Sequence, residues 1–234
     1  MRIAADGTSL DETGVKFILN PYDEFAVEEA LQRRDKAGAG EVVVIALGPD
    51  AAQETIRSAL AMGVDRGVVL KADRVPADAL AVAKALAAEL RGGGYDLILF
   101  GKMAVDDGNH AVGPMVAELL GLPCVTAISK LELEGGKGVA EREIEGGVEV
   151  VEFALPAVLT AEKGLNVPRY PALKGIMAAK RKPIETRPAA LGAVHAQVSA
   201  LALPPERKAG RIVGEGADAV PELVRLLRAE AKVL

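Results

Sequence analysis

"YDLILFGKMAVDDGNHAVGPMVAELLG", residues 95–121, carries three patterns in one stretch. Tyr95 to Gly101 is a nearly continuous apolar run, as expected for a strand covered on both faces. Val112, Met115, Val116, Leu119 and Leu120 then fall at i, i+3, i+4, i+7 and i+8, one face of a helix that Gly121 and Pro123 close. Between strand and helix lies a loop of small and acidic residues. Strand, loop and helix in that order form the repeating unit of parallel α/β architecture.

The same grammar extends outward. Residues 41–48 (EVVVIALG) and 66–71 (RGVVLK) read as further buried strands, and helices are predicted over 23–36, 51–62 and 76–91. The first helix follows "NPY", with Asn20 as N-cap, Pro21 at the first helical position and Asp23 at the third. The second carries Ile56 and Leu60 on one face and stops at Gly63, and the third ends in "GGG".

After Cys124 the pattern changes. Residues 130–162, KLELEGGKGVAEREIEGGVEVVEFALPAVLTAE, alternate with period two and are broken by two glycine pairs, which predicts antiparallel hairpins attached to the parallel sheet. From 164 to 188 the pattern is irregular, with prolines and the basic run Lys180 to Lys182, and reads as an extended arm. Leu165, Leu173, Ile176 and Met177 make that arm too apolar for a free tail, so it is expected to pack on a partner chain. The basic run reads as a solvated turn. A last helix is predicted over 221–232, after the connection "LPPERKAGR". The expected division is an α/β body over 1–163, hairpins included, and an arm with terminal helix over 164–234.

Composition limits what this architecture can do. The 234 residues are 50% hydrophobic and 26% charged, with a net charge of -5, an ordinary globular balance that gives nucleic acid no basic footprint. No apolar run reaches the length of a membrane span, and the N-terminal residues lack the order of a signal peptide, so the expected location is the cytoplasm. One cysteine, Cys124, excludes an internal disulfide and a multi-cysteine metal site, and its apolar surroundings read as those of a buried thiol. Four Phe, three Tyr and no Trp give little with which to sandwich a large flat cofactor.

The loop after Gly101 has two readings. It caps the helix, or it holds a ligand at the carboxyl end of the strand, where open α/β sheets bind nucleotides. Gly101 and Gly108 permit close backbone approach, free amides at the helix start favour phosphate, and Lys102 offers a counter-charge. Asp106 and Asp107 would repel an anion, so they suit ribose hydroxyls or a cap better. They are no hydrolytic pair, because adjacent residues seldom converge on one atom. His110 and His195 have no nucleophile turn beside them, and the "GGG" at 92–94 precedes its strand, the wrong order for a dinucleotide fingerprint. No acid–base or nucleophilic catalytic site is expected. Arg142 and Glu143, consecutive in a predicted strand, should point to opposite faces, leaving one for an interface.

Four segments carry a resemblance: "NPYDEFAVEEAL", "QETIRSALAMGVDRG", "GKMAVDDGNHAVGPMVAELLG", and "REIEGGVEVVEFALPAVLT" continuing to "LNVPRYPALKGIMAAKRKPIE". Along essentially its whole length the chain resembles the beta subunit of electron transfer flavoprotein. The resemblance implies a Rossmann-like adenine-nucleotide-binding fold holding a structural AMP, and a heterodimer whose alpha subunit holds most of the FAD. By motif, the AMP contacts are Asn20, Pro21, Tyr22, Asp23 and Leu47, with Gly101, Lys102, Met103, Ala104, Val105, Asp106, Asp107, Gly108, Asn109, His110, Ala111 and Val112. Leu173, with Ile176 and Met177, matches the recognition loop that docks on acyl-CoA or other flavin dehydrogenases, whose electrons pass to a quinone oxidoreductase or other acceptor. Glu143 matches the glutamate that helps release that partner, and Arg142 beside it is expected to face the flavin domain.

The resemblance also implies a strand and loop roughly twenty residues ahead of the segment matching "RIAADGT". Without it, the strands on either side of that position are expected to be exposed and AMP to be held more weakly. In bifurcating relatives a second FAD replaces AMP. The competing class is an adenine-nucleotide sensor or ATP-cleaving enzyme of the same superfamily, which would need a Gly/Ser-rich pyrophosphate loop after its first strand.

Overall fold

The computed structural model describes residues 2–206 and 209–234; Met1 and residues 207 and 208, the latter two inside the connection read ahead of the last helix, lie outside the described residues. Contacts divide the chain into two compact units, Glu12–Ser199 and a second made of Met1–Asp11 with Ala200–Leu234. Residues 164–199, read from the sequence as part of an arm, thus cluster with the α/β body.

In the larger unit, helix α1 spans Pro21–Ala37, with Asn20 extended at the N-cap and Gly38 left-handed at φ 69° closing it. Strand β1 (Val43–Gly48), helix α2 (Ala52–Met62) and strand β2 (Arg66–Lys71) follow. Helix α3 (Ala79–Leu90) starts three residues later than its proline suggests. The reason is Asp78, whose carboxylate accepts from the amides of Leu80 (2.9 Å) and Ala81 (3.4 Å), the service an N-cap performs. Strand β3 (Leu97–Gly101) and helix α4 (Val112–Leu120) complete the unit read at the outset, Gly121 ending the helix.

Strands β4 (Cys124–Glu134), β5 (Lys137–Ile144) and β6 (Gly147–Ala154) form the two hairpins, antiparallel throughout, and β7 (Ala157–Ala161) returns to the parallel sheet. Where β4 passes from its parallel neighbour β7 to its antiparallel neighbour β5, a bulge forms between Val125 and Ile128. Ala127 sits there at φ 53°, its amide held by Thr160 Oγ1 at 2.7 Å.

The sheet is in two pieces, of order β1-β2-β8 and β3-β7-β4-β5-β6, where β8 is Ile184–Pro188. Strand β8 corrects the reading of this stretch as irregular: it pairs parallel to β2, Gly67 to Ile184 through Lys71 to Pro188. A polar sequence ending in proline gives no strand signal, and an edge position tolerates both features. Among the described residues β1 and β3 each have one unpaired edge. Their apolar residues, Ile98 excepted, remain partly exposed although helices pack on them, whereas β7 is buried from end to end and β2 from Gly67 to Leu70.

Two apolar clusters fasten helices to these strands. Leu31, Ile56, Leu60, Val64 and Val69 join α1 and α2 to the sheet, and Val68, Leu70, Ala83, Leu86 and Val116 join α3 and α4.

In the smaller unit an isolated antiparallel bridge pairs Ile3 with Leu10, and the Leu201 amide donates to Gly7 O at 2.8 Å. The last helix is α6 (Val220–Leu226), continued by a wider π turn over Leu227–Ala231, so the single helix expected over 221–232 changes its winding. No helix among the described residues is long and apolar enough to cross a membrane.

Candidate functional site

The carboxyl end of β3 meets the N-terminus of α1. Asp23 Oδ1 accepts from the Gly101 amide at 2.7 Å. Asn20 spans the next three residues: its Nδ2 donates to Met103 O (2.9 Å) and to Asp23 Oδ2 (3.0 Å), and its Oδ1 accepts from the Val105 amide (3.2 Å). Asn20 therefore holds a distant loop instead of capping its own helix, whose amides its side chain does not accept from. Glycine is required at 101, because a Cβ there would stand 2.8 Å from Asp23 N, Asp23 Oδ1 and Tyr22 C. Gly113 is similar on the other side of the strand, with Thr160 Cγ2 2.7 Å from an added Cβ.

Burial raises the Asp23 pKa against the opposing pull of the Gly101 amide and Asn20. Among the described residues no cation is bonded to Asp23. Lys102 instead pairs with Glu162 at 2.5 Å, beyond the end of β7, and stands 4.9 Å above the Tyr22 ring. The Glu162 hydrogen bond is the main reason that the ammonium's pKa is raised. The counter-charge read from the sequence is thus largely spent within the chain. Glu162 escaped the sequence reading; only the pairing of β3 with β7 sets it beside Lys102.

The rest of the loop is exposed and bonds to itself. Asp106 accepts from the Asp107 amide (2.9 Å), Asp107 from the Asn109 amide (3.4 Å) and side chain (3.1 Å), and Asn109 from the Ala111 amide (3.2 Å). Ala104, between these two groups, accepts from the Gly108 amide at 3.0 Å or less. His110 takes a left-handed φ of 56° to bring the chain into α4. The two acids therefore satisfy backbone donors ahead of the helix. The amides of Val112 and Gly113 meet no acceptor among the described residues and are free at the helix start. Leu47, near the end of β1, packs against the buried cluster of Val68, Leu70, Leu86 and Val116, as do Phe100, Val112 and Met115. The structure so ties Asn20 and Asp23 to Gly101, Met103 and Val105, while Leu47 lies near the end of β1 in the other piece of the sheet.

The remaining predicted residues lie elsewhere. Arg142, on β5, is bonded to Glu149 on β6 and to Thr126 Oγ1 at 3.0 Å, while Glu143 is exposed beside it. Leu173, Ile176 and Met177 belong to helix α5 (Leu173–Ala179), which packs on α2. Their exposures are 77%, 45% and 57%. Cys124 corrects an expectation: it is exposed, because strand alternation turns Val125 inward and its neighbour out. Partial desolvation raises the thiol pKa, so it is not an activated nucleophile. Among the described residues no cluster of metal-ligating side chains occurs.

A parallel sheet flanked by helices, with its candidate ligand end at the carboxyl edge of β3, is a Rossmann-like α/β protein. The family profile described as the electron transfer flavoprotein domain matches residues 7–191. The chain is 47% identical over 205 residues to the electron transfer flavoprotein subunit beta of Syntrophomonas wolfei, covering 88% of this chain and 81% of that one. The Bacillus subtilis subunit beta is 40% identical, covering 100% and 94%, and the human one 41%, covering 97% and 92%. The chain belongs to the electron transfer flavoprotein family, among its beta subunits.

Proposed function

We propose that this chain is the beta half of a heterodimeric electron transfer flavoprotein, that it holds a structural AMP at the end of β3, and that it docks through α5 on a flavin dehydrogenase. The observation that carries the nucleotide reading is the tie of the "NPYD" segment to Gly101 and Val105, which sets a glycine-lined backbone and two free helix amides at one edge of the sheet. Those amides suit the phosphate of AMP, and the exposed Asp106 and Asn109 lie on the loop that would face the ribose. The described residues fit an adenine nucleotide better than a flavin ring, since Tyr22, the aromatic beside this loop, has its face under Lys102.

FAD, held mainly by an alpha subunit, supplies the electron carriage when bound. The contribution of this chain is to bind, orient and dock. Arg142, fixed by Glu149 and Thr126, offers a positioned cation toward the flavin domain, and Glu143 a free carboxylate. Electrons then pass from the docked dehydrogenase to a quinone oxidoreductase or other acceptor, with no acid–base or nucleophilic step asked of this subunit.

Co-expression with the neighbouring alpha-type gene tests the reading. The expected product is a yellow one-to-one complex that releases AMP on denaturation, identified by mass spectrometry. A colourless lone chain that hydrolyses ATP would overturn it, and a second FAD in place of AMP would overturn the nucleotide assignment alone.

A further inference from the structure

Helix α5 is built the wrong way round for a helix that contributes to a core. Its large apolar side chains, Leu173, Ile176 and Met177, face out, while Gly175 and Ala179 face in. Ala179 is only 3% exposed, in the cluster with Leu31, Ile56 and Leu60. Gly175 lies so close to α2 that a Cβ would stand 2.5 Å from Ala61 O. Seven residues are too few for a helix to persist unaided in water, so its neighbours must hold it.

They do so by reciprocal capping. From α2, Arg57 Nη1 donates to Ala179 O and, at 2.6 Å, to Lys182 O, carbonyls at and just beyond the end of α5. From the chain leaving α5, Lys182 Nζ donates to Leu60 O (3.1 Å) and Val64 O, carbonyls at and just beyond the end of α2. Each helix end leaves carbonyls without intrahelical partners and a partial negative charge, and each receives a cation from the other segment. The entry to α5 is clamped as well. Arg169 forks onto Glu28 and Asp35, and Asn166 donates to Phe25 O and Glu29, all at 3.1 Å or less.

We infer that Arg57, Gly175 and Lys182 form a seat that fixes the pose of α5, so that its apolar face is presented to the dehydrogenase already ordered; the inference rests on the docking function proposed above. The partner it fits is a concave aliphatic pocket. Ordering the loop in advance removes a cost that association would otherwise carry, so these three are positioning residues for docking.

The test uses the whole heterodimer with its flavin and an acyl-CoA dehydrogenase as electron donor. Leu173→Ala probes the docking function; Gly175→Ala and Arg57→Ala probe the seat. Both seat variants are expected to raise the KM for the flavoprotein about five-fold or more, leave kcat and flavin content unchanged, and speed amide exchange over residues 173–182. Arg57→Lys, which keeps a cation, should recover part of the loss. It also serves if the alanine variant does not fold. If Leu173→Ala raises KM and the seat variants do not, the seat is wrong and docking stands. If none of the variants changes KM, docking through α5 fails and the inference falls with it.

Discussion

Two segments, the loop 102–111 and helix α5, satisfy their backbone groups by opposite chemistry. The loop leads into a helix and presents backbone N–H groups; those of Val105, Asp107, Asn109 and Ala111 go to side-chain oxygens of Asn20, Asp106, Asp107 and Asn109. Helix α5 is fastened where carbonyls are left over, and these take Arg57 and Lys182. Chain direction decides which charge is useful: helix starts need acceptors and helix ends need cations. The adjacent acids are therefore not unpartnered carboxylates, since both accept from backbone amides. The basic run is no fully solvated turn either, since Lys182 is half-buried on two carbonyls, and burial, the largest cause, lowers its pKa.

The comparison can be broken most severely at Gly101. Gly101→Ala would force its Cβ onto the α1 backbone and is expected to cost about 3 kcal/mol, read as a fall in urea midpoint, because the contact is with main chain that cannot rotate away. Removing one tie from each segment should cost less and about equally. Asn20→Ala and Lys182→Met each leave backbone groups without partners, for about 1–2 kcal/mol. Amide exchange should then rise over residues 103–105 in the first and over 60–64 and 179–182 in the second.

A smaller effect separates two carboxylates on α1. Asp23 has its pKa raised by burial, so its favourable contribution to stability is complete below the ordinary aspartate value of about 3.9 and is lost as pH rises through the raised native value. For Glu28 burial alone would raise the pKa, but Arg169 and Gln32 together hold it below the ordinary value; its contribution is complete above about 4.3 and is lost as pH falls through the lowered native value. In urea titrations from acid to neutral pH, Asp23→Asn should gain on the parent as pH rises. Glu28→Gln should lose on it instead, and parallel curves for both would contradict the assignment. The smallest change is expected at His110. His110→Gly relieves a left-handed residue but loosens the unfolded chain, so stability should move by about 0.5 kcal/mol or less.

Much of this architecture can be read from local pattern. Val112 to Leu120 has helical periodicity strong enough to mark its helix without help, and the two glycine-containing breaks mark both hairpins, because each signal lies within a few residues of its cause. Other features lie beyond that range. Strand β8 is polar and becomes a strand only because β2 offers it an edge. Cys124 looks buried in an apolar stretch, yet the strand's phase turns it outward.

At the candidate site, the "NPYD" segment and the loop after Gly101 stand out singly; that Asn20 spans to Met103 and Val105 depends on packing α1 beside β3. Glu162 had no motif to announce it, and Arg57 and Arg169, although inside the segments that carry the resemblance, had no role assigned by it. Sequence alone thus determined the alternation of strands and helices, the hairpins, the membership of an electron-transfer family and which segments carry unusual residues. Tertiary structure decided which oxygen meets which donor, which edges stay unpaired, and that α5 turns its small residues inward. The physical reason is range: periodicity and turn preference act between neighbours along the chain, whereas the partners of Lys102, Arg57 and Lys182 are brought within reach only when distant segments pack.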